Sequence, residues 1–140
     1  MKYLNHYLKQ TQGNIFEKNG VFFAFNNKQF EEGVKKVGAN KNNKVTKVDL
    51  GVNTGCYVLS RNYETFLKEF EKSYDEAIRL DMKENGCKKI IWRELENHEF
   101  QISNDIEPIL NALELYPISI KEIGEQVKPY IKYCNENDLY

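Results

Sequence analysis

The sequence is poor in the residues that build metal and redox sites and in the runs that cross membranes. Only two histidines occur among its 140 residues, His6 and His98, and they do not form the His-x-x-x-His pair of a zincin helix. The cysteines Cys56, Cys87 and Cys134 are odd in number and none belongs to a C-x-x-C pair. That excludes a zinc ribbon and a disulfide framework and fits reduced thiols. No glycine is followed by lysine and a hydroxyl residue, so a P-loop is excluded. No apolar run approaches the ~20 residues of a membrane span. The start, Met1-Lys2-Tyr3-Leu4, lacks the apolar stretch of a signal peptide, so the expected location is the cytoplasm, with no membrane partner. An excess of one charge sign is missing too: 20 Lys and Arg meet 21 Asp and Glu, for a net charge of -1. A protein that coats nucleic acid with its whole surface needs a positive excess, and this one has none.

What is present is apolar material, 41% of the chain, enough to bury one core without staples; the expectation is a single domain over residues 1–140. Tyr3, Leu4, Tyr7 and Leu8 repeat at helical spacing and predict a short helix that frays near Gly13, with His6 off its apolar stripe and solvated. Val21-Phe22-Phe23-Ala24-Phe25 follows a turn and reads as a buried strand. Asn26 and Gln29 form a helix-start signal for a segment running through Phe30, Val34 and Val37 to a stop at Gly38. Residues 45–50 and 56–59 flank a loop bounded by Gly51 and Gly55 and predict a β-hairpin. Ser60 or Asn62 opens the longest periodic segment, marked by Tyr63, Phe66, Leu67, Phe70, Tyr74, Ala77 and Ile78 and ending near Asn85-Gly86. Its other face carries Glu64, Lys68, Glu69, Glu71, Lys72, Asp75, Glu76 and Arg79, a solvated face open to a protein partner. A further helix holds Ile91, Leu95 and His98, and another is capped by Asn104 with Glu107. The last opens on the Ser119-x-x-Glu122 capping box, with Ile118 and Ile123 placed as a staple, and runs from about Ile120 to Cys134, with Pro129 kinking it or ending its first part. The predicted class is α+β: a small, mainly antiparallel sheet of about three strands covered by five to six helices.

The chemistry-bearing stretch is Arg93-Glu94-Leu95-Glu96-Asn97-His98-Glu99, closed by Ser103-Asn104-Asp105. His98 shares a stripe with Ile91 and Leu95, so it points inward or toward an edge, and Glu94 precedes it by one helical turn, within reach of the imidazole. That pair serves structure as readily as catalysis. Magnesium held by Glu94, Glu99 and Asp105 is conceivable because that ion takes carboxylate oxygens and water, but no metal or other cofactor is expected. Among the aromatics, Phe23 and Tyr57 have rings suited to stacking on a base, although a strand aromatic is more often core.

Phe22-Phe23-Ala24-Phe25, Gln29-Phe30-Glu31-Glu32-Gly33, then Leu50-Gly51 with Gly55 and Tyr57, then Glu94-Leu95-Glu96-Asn97-His98-Glu99 resemble, in order and spacing over roughly residues 20–115, a family of small uncharacterised proteins encoded by phages and mobile elements of gut and low-GC bacteria. The resemblance implies a genomic setting and no settled activity. Three functions stay open, and a non-enzymatic protein leads. The first is a phage or mobile-element inhibitor that binds a host defence protein such as a CRISPR effector, through the faces spanning Glu64–Arg79 and Arg93–Glu99. The second is a sponge for a small nucleotide signal, with Phe23 or Tyr57 stacking the base while Arg61, Arg93 and the Gly51–Gly55 amides hold phosphate. The third is a metal-assisted hydrolase with His98 as general base and Glu99 or Asp105 on the metal.

Overall fold

The computed structural model of the chain describes residues 2–50 and 55–139. Among them lie three strands, β1 (Val21–Phe23), β2 (Val45–Val48) and β3 (Cys56–Leu59), and seven α-helices: α1 (Leu4–Gln12), α2 (Ile15–Asn19), α3 (Asn27–Val37), α4 (Tyr63–Asn97), α5 (Phe100–Ser103), α6 (Glu107–Ala112) and α7 (Ile120–Glu136). The fold is α+β, as the pattern predicts. The helix count differs because the short α2 and α5 carry too few residues to show a period, and because the two expected helices over residues 60–98 form one element, α4, interrupted at Gly86. The chain gathers into two units, residues 1–77 and 78–140.

In the first unit the sheet runs β1-β3-β2, antiparallel throughout, with β3 in the centre. Side chains alternate across it. One face presents Val21, Val48, Cys56 and Val58, which form a core with Phe66 of α4, flanked by Ile15 and Phe16 of α2 and by Tyr63, Leu67 and Phe70. The other face carries the cross-strand row Phe22, Tyr57 and Lys47 and is covered by α3. Phe22 lies against Phe30, and its ring presses on Gly33, where a Cβ would fall 2.1 Å from a ring carbon. The expected start of α3 is present: Asn26 Oδ1 accepts the Gln29 N–H at 2.8 Å. The Gln29 side chain reaches back one residue further than a capping box does, accepting the Phe25 N–H at 2.8 Å. α1 is tied to α4 where Thr11 Oγ1 donates to the Ser73 carbonyl at 3.0 Å.

In the second unit, Gly86 (φ 78°, ψ 164°) breaks α4 into arms over 78–85 and 87–97. That conformation is essentially restricted to glycine. Asp81 and Arg93 meet across the break at 2.9 Å, yet residues this far apart along a straight helix would be separated by about 18 Å. The break is therefore a sharp turn that brings the two arms side by side. Ile90, Ile91, Leu95, Ile109, Leu113, Ile123 and Cys134 are buried in this unit. The capping box of α7 is complete, with Ser119 Oγ accepting the Glu122 N–H and Glu122 Oε2 accepting the Ser119 N–H.

One boundary expectation is met and one is corrected. α7 runs on through Pro129 to Glu136, close to the expected Ile120–Cys134. One lost hydrogen bond is outweighed by the docking of the flanking turns through Tyr130, Cys134 and the bond from Trp92 Nε1 to Gln126 Oε1. Asn104 does not cap α6: it sits at φ 54° as the left-handed end of α5, and the Glu107 N–H is taken by Asp105 Oδ1 instead.

Candidate functional site

The focal residues all lie in the second unit, where α4 ends. Glu94, on the last turns, links two neighbours: its Oε1 accepts from Arg93 Nε at 3.2 Å, and its Oε2 lies 3.5 Å from His98 Nε2. Ile91 and Leu95 are fully buried, while His98 is about one-third exposed, so the imidazole sits at the edge of the stripe. Asn97 is exposed. Glu99 forms the left-handed turn into α5 (φ 49°), its carbonyl accepting the N–H groups of Ile102 and Ser103. Asp105 is occupied as the α6 cap. Glu94, Glu99 and Asp105 do not converge: among the described residues no three His, Cys, Asp or Glu side chains stand close enough to share a metal ion. What the arrangement offers is one carboxylate–imidazole pair.

Arg93 turns inward, away from any surface. Its guanidinium makes a two-pronged contact with Asp81, Nη1 to Oδ1 and Nη2 to Oδ2, each 2.9 Å, the planar match of fork and carboxylate. Tyr116 closes the group by donating its hydroxyl to Asp81 Oδ2 at 2.5 Å. All three side chains are buried. Burial alone would lower the Arg93 pKa, but the hydrogen bonds and charge of Asp81 outweigh it and the net shift is upward. Burial, reinforced by Asp81, likewise raises that of Tyr116 and keeps the phenol protonated. The positive charge expected to hold phosphate is thus committed to joining the two arms of α4 to the residue just before Pro117.

The remaining candidates lie in the first unit and divide between the two faces of the sheet. Phe23 packs against Phe16 on the core face. Tyr57 lies on the opposite face, stacked on Phe22 at 5.4 Å and 16° and edge-on to Phe30 at 5.1 Å. Arg61 is exposed in the 3-10 turn Ser60–Asn62 after β3. The amides of residues 51–54, expected to bind an anion, lie outside the described residues. Tyr57 opens onto a cleft of about 290 Å³ that Phe25, Asn26, Asn27, Phe30 and Lys47 also line. Phe25 is 72% exposed.

Two groups of residues were missed at the sequence level. Asp81 follows Tyr74, Ala77 and Ile78 along the apolar stripe of α4, and a charge on such a stripe requires a buried partner; that was the available signal. The cleft joins β1, α3 and β2, and no local pattern announces it. Burial pushes the Cys56 thiol up to about 11 and also raises that of Cys87.

No helix among the described residues is long and apolar enough to cross a membrane. A family model described as a family of unknown function (DUF7659) matches residues 4–135, and the chain belongs to that family. No curated protein and no solved structure matches the chain.

Proposed function

We propose that the chain is a non-enzymatic binding protein, and that its partner is a protein of a bacterial host's defence machinery, such as a CRISPR effector, met in the setting of a phage or mobile element. The observation that carries the non-enzymatic part is the inward commitment of the polar cluster. Arg93 is consumed by Asp81 and Tyr116, and His98 is left with Glu94 as its acidic neighbour. The hydrolase reading has the single Glu94–His98 pair in its favour and ranks behind the binding protein. The phage setting and the defence partner rest on the motif resemblance.

The contact surface assigned to the partner is the exposed face of α4 in the first unit, carrying Glu64, Lys68, Glu71, Lys72 and Asp75. A surface of this kind recognises a complementary charge pattern and governs encounter rate and specificity more than raw affinity. The test is affinity capture from a bacterium that carries several defence systems, with the eluate read by native mass spectrometry, alongside the triple variant Glu64→Lys, Glu71→Lys, Asp75→Lys. The expected result is a stoichiometric complex with a defence component that the variant fails to form while melting at the wild-type temperature. A chain recovered alone overturns the reading, and capture unaffected by charge reversal removes this face from it.

A further inference from the structure

We infer that the cleft beside Tyr57 is a binding site for a mononucleotide-class ligand, a planar aromatic ring carrying a phosphate. The inference concerns the first unit's other face and goes beyond the proposed protein partner, since neither needs the other.

Three features converge on it. The first is an aromatic wall held in place from behind. Tyr57 is backed by Phe22, and Phe30 stands edge-on to it, so the cleft presents rings that are already ordered. Stacking on such a platform suits any base because every base has a π-face.

The second is Phe25 at the rim. A side chain of this size is ordinarily interior, yet it stands largely in water. Its backbone is fixed: its N–H donates to Gln29 Oε1, and Ala24 beside it donates to the Gly55 carbonyl at 2.8 Å. A ring carried on this backbone at the mouth of a cleft supplies a second surface for a flat ligand.

The third is charge. Lys47, opposite Tyr57 on β2, is the one charged residue in the described lining, and the amides Asn26 and Asn27 are its polar company. Among the described residues Lys47 makes no ion pair and no carboxylate lines the cleft to repel an anion. A lone ammonium beside aromatic walls selects a ring that bears negative charge. The volume of about 290 Å³ falls at the small end of ligand sites, which run from about 300 to 1,000 Å³, and so favours a mononucleotide over a dinucleotide.

The test is isothermal titration of the whole chain, at low and at physiological salt, with the four ribonucleoside monophosphates, their 3′,5′-cyclic forms, the matching nucleosides and inorganic phosphate. At least one nucleotide should bind, and its nucleoside and phosphate alone should each bind about tenfold more weakly or worse. Lys47→Ala should remove most of the salt dependence. Phe25→Ala, at an exposed position, should weaken binding about tenfold with an unchanged melting temperature. Binding of phosphate as tight as that of the nucleotide overturns the inference, because the rings would then play no part. So does the absence of binding across the panel at millimolar concentration, or wild-type binding by both variants.

Discussion

At the scale of single residues, the strongest constraint in the second unit is the buried pair Asp81–Arg93 with the Tyr116 hydroxyl upon it. Removing the Asp81 charge leaves the buried Arg93 with only the single 3.2 Å contact to Glu94, and breaking a buried pair costs about 3–5 kcal/mol. Asp81→Asn preserves the shape and deletes the charge. It should therefore lower the urea-unfolding free energy by about that amount, a large share of the roughly 5–15 kcal/mol typical of a folded protein. Tyr116→Phe removes one hydrogen bond to the carboxylate and should cost about 1–3 kcal/mol. Replacing both ions together, Asp81→Leu with Arg93→Met, should cost less than Asp81→Asn alone, since the fully buried charges are both gone and Glu94 keeps His98 beside it. A loss below about 1 kcal/mol for Asp81→Asn would mean that water reaches the pair and that it is not the lock described. Arg93 looked like a surface contact from sequence because arginine is seldom buried. What reversed that expectation is its partner, which lies one sharp turn earlier in the chain and is invisible to any window of helical periodicity.

At the scale of elements, local chemistry was read well and local endings less so. The N-cap Asn26, the Ser119–Glu122 box, the β2–β3 hairpin pairing and the break near Asn85-Gly86 each depend on a few neighbouring residues, and all are present. Asn104 misled because it is used as the left-handed end of α5, while Asp105 accepts the Glu107 N–H in its stead. Between the two cases stands Gly33, within the Gln29–Gly33 stretch shared with the resembling family. Its role is legible only once α3 is seen to lie on Phe22. Alanine at this helical position is intrinsically better by about 1 kcal/mol, so on propensity alone Gly33→Ala should stabilise. The close approach of the Phe22 ring reverses the sign, because overpacking costs about 1–3 kcal/mol. Gly33→Ala should lower stability in urea unfolding, and adding Phe22→Leu should recover part of the loss. A stabilising Gly33→Ala would show that α3 sits further from β1 than the contact requires.

At the scale of the whole molecule, the near balance of charge and the scarcity of histidine and paired cysteine limit which sites the chain can build. Seven helices and three strands could be anticipated as a class, but the partition into units at 77/78 could not, because it falls inside α4, where the apolar stripe continues without a gap. The functional consequence of the scattered carboxylates is testable without knowing any partner. A divalent ion that binds only the folded chain stabilises it by mass action, by about 2.7 kcal/mol at a hundredfold excess over its dissociation constant. Since Glu94 is engaged with Arg93 and His98, Glu99 is used as a turn and Asp105 as a cap, neither Mg²⁺ nor Mn²⁺ at millimolar concentration should raise the melting temperature. EDTA should not lower it. His98→Ala should stay folded, because the side chain it removes lies at an edge and is held by one contact that is weak at 3.5 Å. A metal-dependent rise in melting temperature that Glu94→Gln abolishes would restore the hydrolase reading and withdraw the non-enzymatic one.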